Sequence, residues 1–423
     1  MDAVIKLIEQ SGYAGLTLGH FTMLCIAGVM LYLAIVREYE PLLLIPIAFG
    51  VIMANLPGAE MGSNDDGLMH LIYAGGIKSG LMPPVIFMGV GVLTDFRPLL
   101  GRPITFLLGA AAQFGIFGAL LGAYYLLGFT PYEASAIGII GGADGPTSIF
   151  LASKMAPHLL GPIAVAAYSY MSLVPIIQPP IMRLLTTQKE REIDMPQAKS
   201  VSKTAAILFP IITGILAILA VPSAGPLLGM LMFGNLLREC GVTERLKKTA
   251  GGTLINIVTI FLGLSVGGTM SADTFLVSKT LFILALGLIA FVLGTAAGIL
   301  FAKFINLFLK KEEKMNPCIG AAGVSAVPMS ARVVQKFVSD ATNGRVNPLM
   351  NAMGPNVAGV IGSAVAAGAL LALVGEPPAA NAAPADTQAV VAAAQPERLE
   401  DTLEKKQDKP HDKRPSGESA LQH

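Results

Sequence analysis

Asp144 stands in the run Ile140-Gly141-Gly142-Ala143-Asp144-Gly145-Pro146-Thr147-Ser148-Ile149-Phe150, and no other acidic residue occurs between Glu133 and Glu190. The surrounding sequence is apolar enough to sit in a bilayer, where an ionisable side chain is expensive and marks function. A buried carboxylate with no cationic neighbour takes up a proton or binds a cation, because desolvation disfavours its bare charge. Lys154, the nearest basic residue in sequence, lies beyond the motif. Thr147, Ser148 and the carbonyls laid bare by glycine supply the oxygens that a hard cation such as Na⁺ takes. The same order of residues also reads as a helix N-cap, Asp before Gly-Pro-Thr-Ser, and the two roles are compatible.

Two further constellations carry polar groups in apolar surroundings. In Asn316-Pro317-Cys318-Ile319-Gly320-Ala321-Ala322-Gly323-Val324-Ser325, the neutral donors Asn316 and Ser325 flank a glycine-rich break. For Asn316 a capping role stands beside an ion contact. Arg332 opens a more polar stretch and faces the cytoplasm or pairs with an anion. In Asn351-Ala352-Met353-Gly354-Pro355-Asn356, continuing to Ser363, Gly354, Gly359 and Gly362 make a small face for close helix packing. Asn356 needs a partner there, either an interhelical hydrogen bond or an ion. Tyr168, Tyr170 and Gln178 lie inside the 158–182 span. Tyrosines at helix ends mark the membrane interface; these are mid-span, which makes Tyr170 a candidate for a cavity. Cys25, Cys240 and Cys318 show no metal or disulfide spacing and read as small hydrophobes, and the five histidines are scattered.

The elements that must position these residues are helices in a membrane. The chain has 423 residues, 53% hydrophobic and 13% charged, with mean hydropathy +0.64; a soluble protein carries about 25% charged residues. A net charge of +1 implies no nucleic-acid partner. Apolar spans fall near 19–36, 41–56, 82–94, 103–128, 158–182, 204–222, 226–237, 252–267, 279–308 and 347–374, several of them short for a crossing. The stretches 133–155 and 316–341 are interrupted by Gly and Pro and read as discontinuous, re-entrant elements. The first span follows no convincing cleavable signal peptide and is expected to remain as a helix.

Three pairs of segments echo each other in the same order: Pro41–Gly50 with Pro226–Gly234, Ile86–Val92 with Ile260–Val266, and Ile140–Ala143 with Ile319–Ala322. Interrupted segments at matching places in two halves point to a transporter binding site, here where 141–148 meets 316–328. Basic residues cluster in 183–203, in 238–248 and at Lys310, Lys311 and Lys314, and the positive-inside rule puts all three in the cytoplasm. Five crossings per half then make the repeats inverted and place both termini outside. The expected organisation is a first repeat over 1–183, a cytoplasmic loop over 184–203, a second repeat over 204–375 and a disordered tail over 376–423. The residues alone leave open a Na⁺/H⁺ antiporter or a Na⁺-coupled solute transporter with inverted repeats.

Gly141–Thr147, Ala166-Ala167-Tyr168-Ser169-Tyr170-Met171, Pro175–Ile181, Asn256–Ser265 and Ala322–Met329 together resemble the β subunit of the sodium-pumping, biotin-dependent decarboxylases, a likeness covering about residues 20–375. It implies an all-α polytopic protein of the bacterial cytoplasmic (inner) membrane, with an elevator-like core moving against a scaffold. It implies a lyase activity: carboxybiotin, carried by a carboxyltransferase α subunit, is decarboxylated with uptake of an external proton and export of Na⁺. A small single-span γ subunit, membrane lipid and further copies of the chain are the other partners it implies. Asp144 matches the essential aspartate that alternates between Na⁺ and H⁺. Asn316 and Ser325 match residues assigned to Na⁺, Asn356 is a plausible ligand, and Gly320, Tyr170 and Arg332 match positions of importance. Oxaloacetate, methylmalonyl-CoA, glutaconyl-CoA or malonate is selected by another subunit; oxaloacetate is the expectation, on frequency.

Overall fold

The computed structural model describes residues 11–377 apart from 14, 59–60, 62–66 and 197. Of the expected tail, all but Glu376 and Pro377 lies outside them. Each of the ten apolar segments is helical, and no strand occurs among the described residues. In chain order the main helices are α1 (Leu18–Val36), α2 (Pro41–Ala54), α3 (Met82–Leu93), α4 (Pro103–Leu126), α5 (Pro131–Gly138), α6 (Gly145–Met155), α7 (Leu160–Leu185), α8 (Lys203–Ala220), α9 (Gly225–Glu239), α10 (Ile255–Gly268), α11 (Ser278–Asn306), α12 (Met329–Ala341) and α13 (Leu349–Val374).

Seven helices among the described residues are long and apolar enough to cross a membrane: α1, α4, α7, α8, α11, α13 and Glu244–Gly268, which ends in α10. Leu68–Lys78 and α3, bent by 64° at their junction, would make an eighth. Helices α2, α3 and α9 have 14, 12 and 15 residues. At ~1.5 Å per residue they reach roughly 18–22 Å, short of a ~30 Å hydrocarbon core.

Both interrupted stretches double back on themselves. Helix α5 packs on α6, and the 3₁₀ turn Pro317–Gly323 packs on α12. Helices α6 and α12, at 11 and 13 residues, are too short to cross.

The packing is paired in a regular way. Helix α2 lies against α10 and α3 against α9; α4 lies against α13 and α7 against α11. The turn Ile139–Gly142 sits on α4 and α11, and Pro317–Gly323 sits on the same two helices. Each of α3 and α10 follows a π-helical turn, Tyr73–Lys78 and Thr249–Leu254, and both turns contain Ala-Gly-Gly. This is a further echo between the halves, beyond the three visible earlier.

Helices in lipid gain little from apolar burial and rely on close packing and polar contacts. The α3–α9 pair shows both. Gly234 sits on the backbone of Met88 and Val92, and Gly91 on that of Leu231 and Asn235. Asn235 Nδ2 donates to Thr94 O at 3.1 Å, and Arg97 pairs with Glu239 at 2.6 Å. Beyond the start of α7, Glu133 accepts from Lys279 at 3.0 Å and pairs with His158 at 3.1 Å, tying α5 to the start of α11.

A side chain at Gly234 would collide with the Met88 carbonyl. We therefore expect Gly234→Val to destabilise the protein by about 1–3 kcal/mol, the usual effect of overpacking. Thermal unfolding of the purified chain in detergent measures this, and an unshifted midpoint would mean that α3 and α9 do not approach so closely.

Candidate functional site

The first break is built by local geometry. Thr130 and Glu133 form a capping box that starts α5, which tightens into the turn Ile139–Gly142. Ala143 then adopts left-handed backbone (φ 53°) and Asp144 is extended, so the chain reverses before α6 begins at Gly145. Asp144 is 7% exposed. Its Oδ1 accepts from Thr147 N at 3.3 Å, which is the capping contact expected of it. Its Oδ2 accepts from Ser363 Oγ of α13 at 2.8 Å. Ser148 Oγ donates to the Asp144 carbonyl at 2.8 Å. No ion pair reaches Asp144 among the described residues.

The second break is held from α13. After Pro317–Gly323 the chain is extended, and Asn356 Nδ2 donates to Ala322 O at 3.0 Å and Val324 O at 2.8 Å. Ser325 N then donates to Gly142 O at 3.0 Å. The two glycine-rich segments thus meet backbone to backbone. From the other side Gln178 of α7 donates to Ala321 O and Ser330 Oγ, both at 2.8 Å.

Around this junction several buried oxygens have no hydrogen-bond partner among the described residues: Thr147 Oγ1, Ser325 Oγ, Asn356 Oδ1 and Gln113 Oε1. Gln113 donates its Nε2 to Gly109 O at 2.9 Å, and its Oε1 faces the Gly142 side of the turn. Buried polar atoms are normally satisfied, and leaving one bare costs about 1–3 kcal/mol. A carboxylate with no counter-charge among neutral, unpartnered oxygens can hold one small hard cation or one proton.

Of the residues singled out in the sequence, Asp144, Thr147, Ser325 and Asn356 lie on segments that the structure brings to this junction. Asn316 is fully buried at the far end of its turn, where Oδ1 caps Cys318 N at 3.1 Å and Nδ2 donates to Arg191 O at 2.9 Å and Ile193 O at 3.2 Å. Tyr170 donates its hydroxyl to Leu284 O and packs its ring on Gly287, joining α7 to α11. Arg332 is exposed in the first turn of α12, where its backbone N–H donates to Pro328 O at 3.2 Å, and its guanidinium makes no hydrogen bond or ion pair among the described residues. Gly320 has a packing reason: a Cβ there would collide with the Gly298 carbonyl and lie 2.8 Å from Ile299 N of α11.

Sequence reasoning missed Ser363 and Gln113 as site residues. Each is a polar residue in an apolar span, which is the available signal.

A family model described as the Na⁺-transporting oxaloacetate decarboxylase beta subunit matches residues 19–374. The chain belongs to this family. Among its relatives, the methylmalonyl-CoA decarboxylase subunit beta of Veillonella parvula is 57% identical, with 88% of this chain and 98% of the relative covered. The glutaconyl-CoA decarboxylase subunit beta of Acidaminococcus fermentans is also 57% identical over the same shares. The oxaloacetate decarboxylase beta chain of Klebsiella pneumoniae is 50% identical, covering 88% and 99%. Membership favours a lyase subunit of a Na⁺-pumping decarboxylase over the antiporter and solute-carrier alternatives.

The Ser363–Asp144 contact is a hydrogen bond to a charged group. Removing such a bond costs about 1.5–3 kcal/mol, or roughly tenfold or more in affinity. Ser363→Ala is accordingly expected to raise the half-saturating Na⁺ concentration for decarboxylation by the assembled complex by about that factor. Na⁺ dependence equal to wild type would remove Ser363 from the site.

Proposed function

We propose that this chain is the membrane subunit that decarboxylates carboxybiotin presented by a partner, and that it couples this reaction to Na⁺ export and H⁺ uptake through Asp144. One observation carries the reading: a buried carboxylate without a cationic partner lies at the junction of two broken segments, beside oxygens that no protein donor or acceptor satisfies. Thr147, Ser325 and Asn356 are the neutral ligands we assign to Na⁺ alongside Asp144. Asn316, which closes the second break, is assigned to the ion's route.

Asp144 cannot hold Na⁺ and H⁺ together. Each ion displaces the other, and the two fluxes are opposed for that reason. Carboxybiotin supplies a carboxyl group that leaves as CO₂, and the ring nitrogen it leaves takes a proton. The exposed and unpartnered guanidinium of Arg332 suits the carboxylate of such a group, and Tyr170 is assigned to the same reaction, as a group that holds α7 against α11. Moving one net charge against 100 mV requires about 2.3 kcal/mol, which decarboxylation supplies.

The paired packing supports two inverted repeats, 1–183 and 204–375, joined by the loop 184–203. The partners of α2 and α3 are the repeat-matched α10 and α9, as a two-fold relation requires, and the Ala-Gly-Gly turns occur at matching places. We assign α4–α7 and α11–α13 to a moving core and α1–α3 and α8–α10 to a scaffold. The cytoplasmic membrane of a bacterium, with the basic loops inside, is the location this reading requires. The partners are a biotin-carrying α subunit, a single-span γ subunit and further copies of the chain. The acid is selected by another subunit, and the relatives named for methylmalonyl-CoA and glutaconyl-CoA, at 57% identity, and for oxaloacetate, at 50%, keep oxaloacetate as one of three acids that the assembled complex takes.

The test uses the full complex in proteoliposomes. Asp144→Asn, which binds neither ion as a carboxylate does, should reduce both Na⁺ uptake and decarboxylation to background. In the wild type the half-saturating Na⁺ concentration should rise as pH falls, because protons compete for the same group. Na⁺ movement at an undiminished rate without the biotin-bearing partner would instead establish an antiporter.

A further inference from the structure

A cavity of about 880 Å³ lies between the segment 100–104, which leads into α4, and the segment 196–205, which leads into α8. Its described lining contains the cations Arg102 and Lys199, the hydroxyl of Ser200 and the apolar Leu100, Ile104 and Val201, and no carboxylate. Arg102 is half-buried, and among the described residues its guanidinium donates a single hydrogen bond, from Nη2 to Pro196 O at 3.2 Å. Among the described residues, neither Arg102 nor Lys199 has an ion-pair partner. A partly desolvated guanidinium is normally matched by an anion, and its planar fork suits a phosphate. The remaining donors of Arg102 are free to meet one.

The flanks of the cavity choose among anions. Phe106 and Leu107, just inside α4, are 41% and 47% exposed, and Leu208 and Ile212, just inside α8, are 44% and 50% exposed. A ligand with a charged head and apolar tails covers both surfaces, whereas a free anion leaves the apolar flank bare. We propose that this cavity binds the phosphate headgroup of an anionic phospholipid, with its acyl chains along the outer faces of α4 and α8. The site lies where the two helices enter the membrane beside basic loops, as expected of anionic-lipid sites.

The binding has a consequence that rests on the core-and-scaffold reading. Residues 94–102 and 186–202 are then two of the connectors between core and scaffold, and they touch: a Cβ on Gly101 would lie 2.7 Å from Lys199 O. A phosphate held by Arg102 and Lys199 would clip one connector to the other. Lipid binding itself does not depend on that reading.

The test is made on the full-length chain in nanodiscs of phosphatidylcholine with and without phosphatidylglycerol, reading retained lipid by native mass spectrometry. Wild type should retain a phosphatidylglycerol molecule that Arg102→Gln binds more weakly, by about fivefold for each basic residue removed. Lys199→Gln, at an exposed position that leaves folding intact, should shift binding in the same direction, and it decides the matter if Arg102→Gln does not fold. Lys311→Gln, at an exposed lysine outside the cavity, should not. Retention unchanged in the cavity variants, or lowered equally by Lys311→Gln, would overturn the site. Displacement of the lipid by millimolar inorganic phosphate would show that the site takes the phosphate group alone, and the lipid assignment would fall.

Discussion

A single uncompensated carboxylate governs the design of this chain. In low dielectric Asp144 is tolerable only if something neutralises it, and no lysine, arginine or histidine does so among the described residues. Two of its contacts come from neutral donors, Thr147 N and Ser363 Oγ, which orient the group without discharging it. Neutral donors leave the carboxylate without a counter-charge among the described residues, so it requires a proton or a cation beside it.

That requirement explains the glycine-rich construction nearby. Intact helices offer an ion almost no backbone oxygens, because their carbonyls are already bonded. Breaking two helices at one place releases carbonyls, but an open break at membrane depth needs protein partners. Asn356 provides them for the second break by holding Ala322 O and Val324 O with one amide nitrogen. Gln178 does the same from α7 at Ala321 O. The Ser325–Gly142 bond then joins the breaks to each other, so the junction is built from two segments bonded backbone to backbone.

Much of this was legible in residue order because ionisable groups and proline–glycine interruptions are conspicuous in an apolar chain. The lone Asp144 and both breaks stand out, and the echoes between the two halves of the chain point to their meeting. Ser363 did not stand out: in a Gly/Ala-rich helix a serine satisfies itself against its own turn, as Ser363 Oγ also does with Val360 O at 3.0 Å. Its contact with Asp144 spans 219 positions and leaves no local trace. Gln113 sits at the bend between Phe106–Ala112 and Phe114–Leu121, where one polar residue suggests a kink as readily as a ligand. The Ala-Gly-Gly echo was hidden for another reason. Its glycines carry no side-chain signature, and its flanks, Tyr73 and Thr249, are unrelated. Tyr170 reads from its mid-span position as available for a cavity; in the fold its hydroxyl donates to the Leu284 carbonyl of α11, because a buried phenol needs a partner.

The division of labour among glycines follows from the same physics. Gly320 and Gly298 meet backbone to backbone, which seats the second broken segment directly on α11. Gly91 and Gly234 do the equivalent work between α3 and α9, away from Asp144. Both contacts exclude any side chain larger than hydrogen, yet they serve different ends: one fixes the position of the broken backbone, the other joins two helices each too short to span lipid on its own. The second broken segment is held on its other sides by side-chain hydrogen bonds, from Asn356 of α13 to Ala322 O and Val324 O and from Gln178 of α7 to Ala321 O, so its carbonyls are satisfied by polar groups from two separate helices.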